Sequence, residues 1–218
     1  MEKKIKLHLG CGQKYLEGYI NIDYPPSEHT VQNTSVADEF HNISKLKYEK
    51  NSVQEVRLHH VFEHFERFNA CAYLASWNSW LTMDGIVHIE VPDFETTLKK
   101  NLNFFNKGKF EGVGLRHIFG SQEAPWAVHY EGYSENKLRQ IVSHFGFDKI
   151  QIIKSSYKRT FNIEIIAKKV NNISREDSLK AAAKYLSSYL VDDSDTEKRM
   201  LEVWLNKFKE QIAISFAG

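Results

Sequence analysis

A pair of glycines and a later aspartate near the N-terminus have the spacing of a nucleoside-binding site. Gly10 and Gly12 follow the apolar run Ile5–Leu9, and Asp23 ends a second such run. Glycine allows close backbone approach, and a carboxylate after the next strand pairs with ribose hydroxyls. A dinucleotide site needs a third glycine, where Tyr15 stands, and more room for a helix. The spacing favours a nucleoside cofactor without phosphates, such as S-adenosylmethionine; the alternative is a plain turn with an exposed aspartate.

The string His60-Val61-Phe62-Glu63-His64 has the HxxEH spacing of zinc hydrolases. On one helical face this spacing places two imidazoles on zinc, with Glu63 as general base. A hydrolase needs the string inside a long helix, whereas here it straddles the end of a predicted strand. We therefore expect no metal. Glu63 and His64 either brace the following helix or act directly in catalysis.

The composition is that of an ordinary globular protein. The 218 residues include 29 basic and 28 acidic side chains, for a net charge of +1. This balance argues against nucleic acid or an anionic membrane surface as the main partner. Cys11 and Cys71 lack CxxC spacing, and no apolar run has the length of a membrane span. We expect a cytoplasmic protein with reduced cysteines.

Apolar runs that end in glycine or proline predict strands, and apolar residues spaced by three and four predict amphipathic helices. Their alternation implies right-handed crossovers and a doubly wound, mostly parallel α/β sheet with helices on both faces. Ligands are then expected beyond the carboxyl ends of the strands. Strands are predicted at 5–9, 19–23, 53–60, 86–91, 149–154 and 161–168, helices at 67–81 and 135–145, and a turn at Met83-Asp84-Gly85.

Residues 171–218 are predicted to form a C-terminal helical hairpin outside the catalytic domain, which would cover residues 1–170. Ser174 caps its first helix, and the acidic run 192–195 opens its second. Both helices carry apolar stripes that are wide for solvent-facing elements. We expect the hairpin to pack either on the rest of the chain or on a second copy of it, as a homodimer.

Six segments resemble, in order, the motif series of class I S-adenosylmethionine-dependent methyltransferases. The chain is similar to a small bacterial branch whose members often accompany surface-polysaccharide genes. The resemblance implies a Rossmann-like methyltransferase with a seven-stranded sheet, S-adenosylmethionine as cofactor, S-adenosylhomocysteine as product and a small-molecule acceptor. The segments are LHLGCG (7–12), YINID (19–23), HNISKL (41–46), HHVFEHF (59–65), LTMDGIVHIEVPDF (81–94) and YSENKLRQIVSHFGF (133–147).

The resemblance also implies cofactor-binding residues. Gly10, Cys11 and Gly12 would line the methionine part of the cofactor, and Asp23 would hold the ribose. Asn42 stands where the family usually has an aspartate that bonds the adenine amino group, and an amide oxygen is an acceptor too.

Two further segments would contribute to the same site. His8 occupies the usually acidic position of the first strand motif. Leu58, His59 and His60 follow in the third strand motif and would contact the cofactor near its sulfonium.

Methyl transfer to a hydroxyl needs a base, because a hydroxyl is too weak an acid to ionise near pH 7. His129 is the first candidate, since it lies in the long insert 99–133 where this architecture builds its acceptor pocket. His64 and Glu63 are the other candidates.

The insert supplies the expected acceptor contacts. Trp126, Tyr130 and Glu131 could stack on a ring and orient the base, and Arg116 and His117 could pair with a phosphate or carboxylate. Its glycines suggest a lid that closes over the substrate.

We therefore expect a methyltransferase acting on a hydroxyl of a small polar acceptor, such as a saccharide or a phosphorylated or nucleotide-linked precursor of a surface (capsule) polysaccharide. The alternatives are N-methylation of an amino sugar or phosphoramidate-type group, a non-catalytic cofactor-binding scaffold, and an HxxEH zinc hydrolase.

Overall fold

The structure, a computed structural model, describes residues 5–31, 34–102 and 108–217. Seven strands form one sheet in the order β3-β2-β1-β4-β5-β7-β6. The strands β1 to β5 run parallel, and β7 runs antiparallel to both β5 and β6. This confirms the predicted seven-stranded, mostly parallel sheet. The strands are β1 (Ile5–Leu9), β2 (Ile20–Asp23), β3 (Glu39–Phe40), β4 (Val53–His59), β5 (Leu81–Pro92), β6 (Phe147–Tyr157) and β7 (Thr160–Lys169).

Six α-helices accompany this sheet in the described ranges. Serine side chains cap α4, α5 and α6 by accepting a hydrogen bond from the third residue of each helix. The connections from β1 to β2 and from β2 to β3 contain no α-helix among the residues described. The helices are α1 (Arg67–Trp80), α2 (Phe94–Asn101), α3 (Glu111–Phe119), α4 (Glu135–His144), α5 (Arg175–Ser187) and α6 (Asp195–Ser215), with single 3-10 turns at Pro26–Glu28, Ile43–Lys45 and Phe62–His64.

One face of the sheet forms the core. Alternate residues of the central strands, among them Leu7, Leu58, Ile89 and Ile165, have no exposed surface and pack with Trp77 of α1. A strand alternates its side chains between the two faces, so the intervening residues point to the other side. The helices α1, α4, α5 and α6 contribute buried side chains to the same core.

The opposite face carries a row of charged residues across four neighbouring strands. Lys6 Nζ lies 3.7 Å from Glu55 Oε2, and Glu55 Oε1 lies 3.8 Å from His88 Nδ1. His88 Nε2 lies 2.8 Å from Glu164 Oε2. Each group has a partner of opposite or hydrogen-bonding character, so this face tolerates charges that an apolar face excludes.

The sequence predicts that a turn at Met83-Asp84-Gly85 separates a helix from a strand, and this prediction is wrong. The strand β5 continues through it, and the partner of β4 jumps from Leu81 to Ile86. Asp84 has φ of 60°. The turn-forming residues thus make an irregularity inside one long strand.

The C-terminal hairpin packs on the rest of the chain, which is the first of the two predicted arrangements. The helix α6 contacts α1 and the Ile43–Lys45 turn, and α5 contacts α1 and α4. Trp80 Nε1 donates to the Ser215 carbonyl at 2.7 Å, and Gln211 Nε2 donates to the Ser44 carbonyl at 2.7 Å. Among the described helices, none combines the length and apolar character needed to cross a membrane.

The packing of α6 predicts a large difference between two substitutions on that helix. Phe208 has no exposed surface, whereas Val203 is 57% exposed. Phe208→Ala should lower the free energy of unfolding by about 3–5 kcal/mol, because it leaves a cavity in the core. Val203→Ala should change it by no more than about 0.5 kcal/mol. Urea denaturation measures both, and equal effects would contradict the observed packing.

Candidate active site

A cavity of about 710 Å³ opens beyond the carboxyl ends of β1, β2 and β4. This volume is in the range of small-molecule sites, and this edge of the sheet is where α/β folds bind ligands. Residues predicted from the sequence form much of its wall. They are Gly10, Cys11, Gly12, Asp23, Asn42, His59, His60, His64 and Trp126.

The turn after β1 requires glycine at its first position. Gly10 has φ of 67° and Gly12 has φ of 55°, both in the left-handed region. A Cβ atom on Gly10 would lie 2.4 Å from Val61 Cγ2, closer than packed atoms approach. The Gly10 amide donates to the Ile22 carbonyl at 2.8 Å, which ties the turn to β2.

Asp23 closes the same turn from the end of β2. Its Oδ2 accepts from the Gly12 amide at 2.6 Å, and its Oδ1 accepts from the Tyr24 amide at 2.7 Å. His29 Nε2 lies 3.6 Å from Oδ1. A carboxylate has about four lone-pair sites, so Asp23 can still accept hydrogen bonds from a ligand in the cavity.

Cys11 lies beside this carboxylate, with Sγ 3.9 Å from Asp23 Oδ2. Burial, helped by the charge of Asp23, raises the pKa of the Cys11 thiol to about 12. The thiol is therefore neutral near pH 7 and serves as a wall of the cavity rather than as a nucleophile.

Asn42 begins the Ile43–Lys45 turn, where its Oδ1 accepts from the Ser44 amide at 2.8 Å. This bond fixes the orientation of the side chain at the cavity wall. An amide oxygen has a second lone pair, so capping the turn does not exhaust its capacity as an acceptor.

Two of the residues expected at the cofactor lie elsewhere within the described chain. His8 is fully buried, and its Nδ1 lies 3.1 Å from Asn21 Oδ1. Leu58 is fully buried in the core. Neither lines the cavity, because the side chains at these strand positions point into the two faces of the sheet.

Three of the other predicted histidines, His60, His64 and His129, form a cluster around one buried carboxylate. Glu63 is 1% exposed, and its Oε1 lies 3.3 Å from His60 Nδ1 and 3.9 Å from His129 Nε2. The rings of His64 and His129 lie edge to face with centroids 4.7 Å apart. The three predicted catalytic candidates, Glu63, His64 and His129, are thus brought together from two distant segments.

Burial and charge set the ionisation in this cluster. Burial acts most strongly, to raise the pKa of Glu63, but the hydrogen bond from His60 and the charges of the surrounding histidines together outweigh it and hold the pKa below its usual value. Burial also acts most strongly on His60, to lower its pKa, but the bond to Glu63 and the charges of Glu63 and Glu90 together leave that pKa raised. Burial lowers the pKa of His129, so this ring is neutral near pH 7.

His59 and the backbone of His60 are held by the neighbouring strand. His59 Nδ1 lies 2.5 Å from Glu90 Oε2, and the His60 amide donates to the Glu90 carbonyl at 2.9 Å. His60 has φ of 56°, an uncommon conformation for a residue with a side chain. Both imidazoles consequently face the cavity at the end of β4.

Of the residues expected to contact the acceptor, some line the cavity and others are exposed or bonded to the backbone elsewhere. Trp126 lines the cavity, and its Nε1 donates to the Glu28 carbonyl at 3.2 Å. Tyr130 is half exposed, and Arg116 is exposed. His117 Nε2 lies 2.8 Å from the Phe161 carbonyl. Residues 103–107 of the predicted insert lie outside the described residues.

Glu131 contacts the C-terminal hairpin rather than the cavity. Its Oε2 accepts from Tyr189 Oη at 2.8 Å and lies 3.7 Å from Arg67 Nε. The Arg67 guanidinium lies 4.1 Å from the centroid of the Tyr189 ring. The segment that carries His129 is therefore anchored to the residues that follow α5.

Several residues of the wall were not predicted. Tyr24 and His29 follow β2, Phe65 follows the Phe62–His64 turn, and Tyr73 projects from α1. Tyr24 directly follows Asp23, the acidic residue of the nucleoside-binding pattern, and this position is the one feature of the sequence that could have indicated a place in the wall. Tyr73 belongs to the apolar stripe of a helix, so its periodicity predicts core packing only.

The close approach of Val61 to Gly10 predicts a test with an internal control. Gly18 also has positive φ, 82°, but no atom of the described residues lies within 4 Å of the position that a Cβ would take there. Gly18→Ala should cost about 1–2 kcal/mol of unfolding free energy from backbone strain alone. Gly10→Ala should cost at least about 1 kcal/mol more, because the methyl group also overpacks the turn. Urea denaturation of both variants measures the difference, and equal losses would show that the turn accommodates a side chain.

No protein-family model matches this chain, and no curated protein matches its sequence. Solved structures do resemble it. A chain in the Haloferax volcanii complex between the Trm112 methyltransferase activator and a methyltransferase gives a TM-score of 0.51 at 13% identity, over 80% of this chain and 85% of that one. A SAM-dependent methyltransferase from Archaeoglobus fulgidus gives 0.50 at 15% identity, over 77% and 87%. At such identities the likeness concerns the fold, and this chain has the Rossmann-like fold of class I methyltransferases.

Proposed function

We propose that this protein is an S-adenosylmethionine-dependent methyltransferase with its cofactor in the cavity beside the glycine turn. The observation that carries the proposal is the Asp23 carboxylate, which the Gly12 and Tyr24 amides hold at the cavity wall. A carboxylate in this position after the second strand suits the two hydroxyls of a ribose. The fold shared with methyltransferases supports the same assignment.

The rest of the wall suits the other parts of that cofactor. Asn42 offers an amide to the adenine edge, and Gly10 and Gly12 let the backbone approach the methionine part closely. His59 and His60 lie at the end of β4, on the side where the sulfonium would be placed. The thiol of Cys11 adds a neutral surface beside the ribose site.

The methyl acceptor in this proposal is a hydroxyl group of a small polar molecule. Direct transfer needs the acceptor oxygen in line with the sulfur–carbon bond and a route for its proton. The cluster of Glu63, His64 and His129 adjoins the cavity through His64 and provides that route. An amine acceptor would need less help, so the cluster favours O-methylation over the N-methylation alternative.

A saccharide, in free, phosphorylated or nucleotide-linked form, is the acceptor class we propose. Trp126 lies at the cavity wall, where its indole ring is available for contact with a sugar ring. The link to surface polysaccharides rests on the resemblance of the sequence motifs to a bacterial branch with such associations.

The HxxEH hydrolase alternative lacks the structural context that it requires. The segment Phe62–His64 is a single 3-10 turn and not part of a long helix. His60 Nδ1 bonds to Glu63, whereas His64 Nδ1 bonds to the Val128 carbonyl at 3.0 Å. The two imidazoles of the string are therefore not paired across one helical face with Glu63 as the base.

Asp23→Ala tests the ribose assignment. Loss of a buried, hydrogen-bonded charge should weaken S-adenosylhomocysteine binding by about 1–3 kcal/mol, or roughly 5- to 150-fold in Kd. Isothermal titration calorimetry measures the affinity. Asp148→Ala, at an exposed position of β6, is the matched control and should bind like the unchanged protein. Unaltered affinity in the Asp23 variant would refute the assignment.

His129→Ala tests the route for the proton. It should lower the rate of methyl transfer by about 100-fold or more, with little change in S-adenosylhomocysteine affinity. The rate is measured with labelled donor and an acceptor found by screening sugar phosphates and sugar nucleotides. His144→Ala, which removes an imidazole from the end of α4, should retain the full rate. A normal rate in the His129 variant would exclude this residue from the reaction.

A further inference from the structure

We propose that Glu63, His64 and His129 together bind one divalent transition-metal ion of the zinc type beside the proposed cofactor cavity. Two imidazoles and a carboxylate are a donor set that proteins use for catalytic zinc and related ions, with coordination positions left open. One ligand atom from each of the three residues lies within 4.8 Å of the others. Ligands of a tetrahedral zinc ion lie roughly 3.3–3.6 Å apart, so binding would draw these atoms together by no more than about 1.5 Å.

The imidazole of His64 is already oriented for this role. Its Nδ1 lies 3.0 Å from the Val128 carbonyl, an acceptor, so this nitrogen carries the proton. The lone pair is then on Nε2, at the other side of the ring. Metal-binding histidines generally donate their second nitrogen to a carbonyl or carboxylate in this way.

The carboxylate of Glu63 has one oxygen engaged and one without a partner. His60 Nδ1 lies 3.3 Å from Oε1, whereas Oε2 is buried and has no hydrogen-bond partner among the described residues. The whole side chain is 1% exposed. A buried carboxylate oxygen without a donor is costly, and a cation supplies what it lacks.

Backbone hydrogen bonds place the two contributing segments against each other. The Tyr130 amide donates to the Glu63 carbonyl at 2.9 Å, and the His129 amide donates to the Phe119 carbonyl at 3.2 Å. Gly120 and Val128 form a bridge between the ends of the intervening loop. These contacts fix His129 opposite the Phe62–His64 turn without help from the side chains, so the site is largely preformed.

A second group of potential ligands, His59, His60 and Glu90, lies nearby within the same 4.8 Å limit. Its carboxylate is already occupied. Glu90 Oε2 lies 2.5 Å from His59 Nδ1, and Glu90 Oε1 accepts from Asn162 Nδ2 at 3.2 Å. A metal ion would have to displace these partners, so the first group is the one that the contacts favour.

The role of the ion rests on the proposed methyltransferase function. With the ion bound, the three side chains would assist loss of the proton through the metal and not as direct bases: an acceptor hydroxyl at an open coordination position would have a lowered pKa and would release its proton to solvent water. Its oxygen then attacks the methyl carbon, so that a carbon–oxygen bond forms as the carbon–sulfur bond breaks. S-adenosylhomocysteine leaves as a neutral thioether, and no oxidant or reductant is needed.

Metal titration of the full chain tests the proposal. The protein is prepared without a histidine tag, stripped with a chelator and titrated with Zn²⁺ by calorimetry and with Co²⁺ by visible absorption. We expect one ion per chain. His129→Ala and Glu63→Gln should each weaken binding at least about tenfold, whereas His144→Ala and His59→Ala should bind as the unchanged protein does.

S-adenosylhomocysteine binding, measured on the same samples, separates this inference from the proposed function and reports folding of the variants. A His129→Ala protein that keeps this affinity and loses the metal supports the inference. Absence of a stoichiometric ion, or loss of it in His59→Ala instead of His129→Ala, overturns the metal site and leaves the cofactor assignment intact. Failure to bind S-adenosylhomocysteine overturns the proposed function instead.

Discussion

The bond between the Gly12 amide and the Asp23 carboxylate is the contact on which the cavity depends. It is 2.6 Å long and joins the turn after β1 to the end of β2, two elements connected by a short segment without an α-helix. Because Gly10 is also tied to Ile22, the turn cannot move away from the sheet. Val61 packs against the same glycine from the β4 side. Three neighbouring strand ends therefore converge on one small patch of backbone, and a ligand placed there meets groups whose positions are already set.

Much of the fold could be predicted from periodicity. The buried strands and the helices α1, α4, α5 and α6 have strong apolar patterns, and α4, α5 and α6 also have serine caps. Their boundaries were predicted within a few residues, except that β5 begins at Leu81 and not at Ile86. The two-residue strand Glu39–Phe40 is exposed and has no apolar pattern to detect. The helix α2 begins before the predicted insert and α3 lies within it, and the lysines and glycines of these two helices obscured their periods. Met83-Asp84-Gly85 has the composition of a turn, but it lies inside β5, between the paired residue Leu81 and the paired residues 86–92.

The part of the site that lies at the strand ends could be predicted from the sequence, whereas the part that depends on long-range contacts could not. Glycine and aspartate at the ends of consecutive strands are local signals, because parallel strands bring their carboxyl ends to one edge. The meeting of Glu63 with His129 is not local, since it depends on backbone bonds between a turn and a loop far along the chain. His8 was expected at the cofactor from its motif position, yet strand alternation points it at Asn21. The direction of the side chain from the strand therefore places His8 away from the cavity, and its position in the motif alone does not predict this.

The hydrogen bond between Tyr189 and Glu131 links the C-terminal hairpin to the loop that carries His129. Tyr189 follows α5, yet its hydroxyl holds a residue two positions from His129, and Arg67 of α1 packs on its ring. The C-terminal hairpin thereby supports the loop that carries His129. A chain that ended near residue 170 would lose this hydrogen bond together with the buried side chains of α5 and α6, so the part of the chain that carries the motifs is not independent of the helices that follow it.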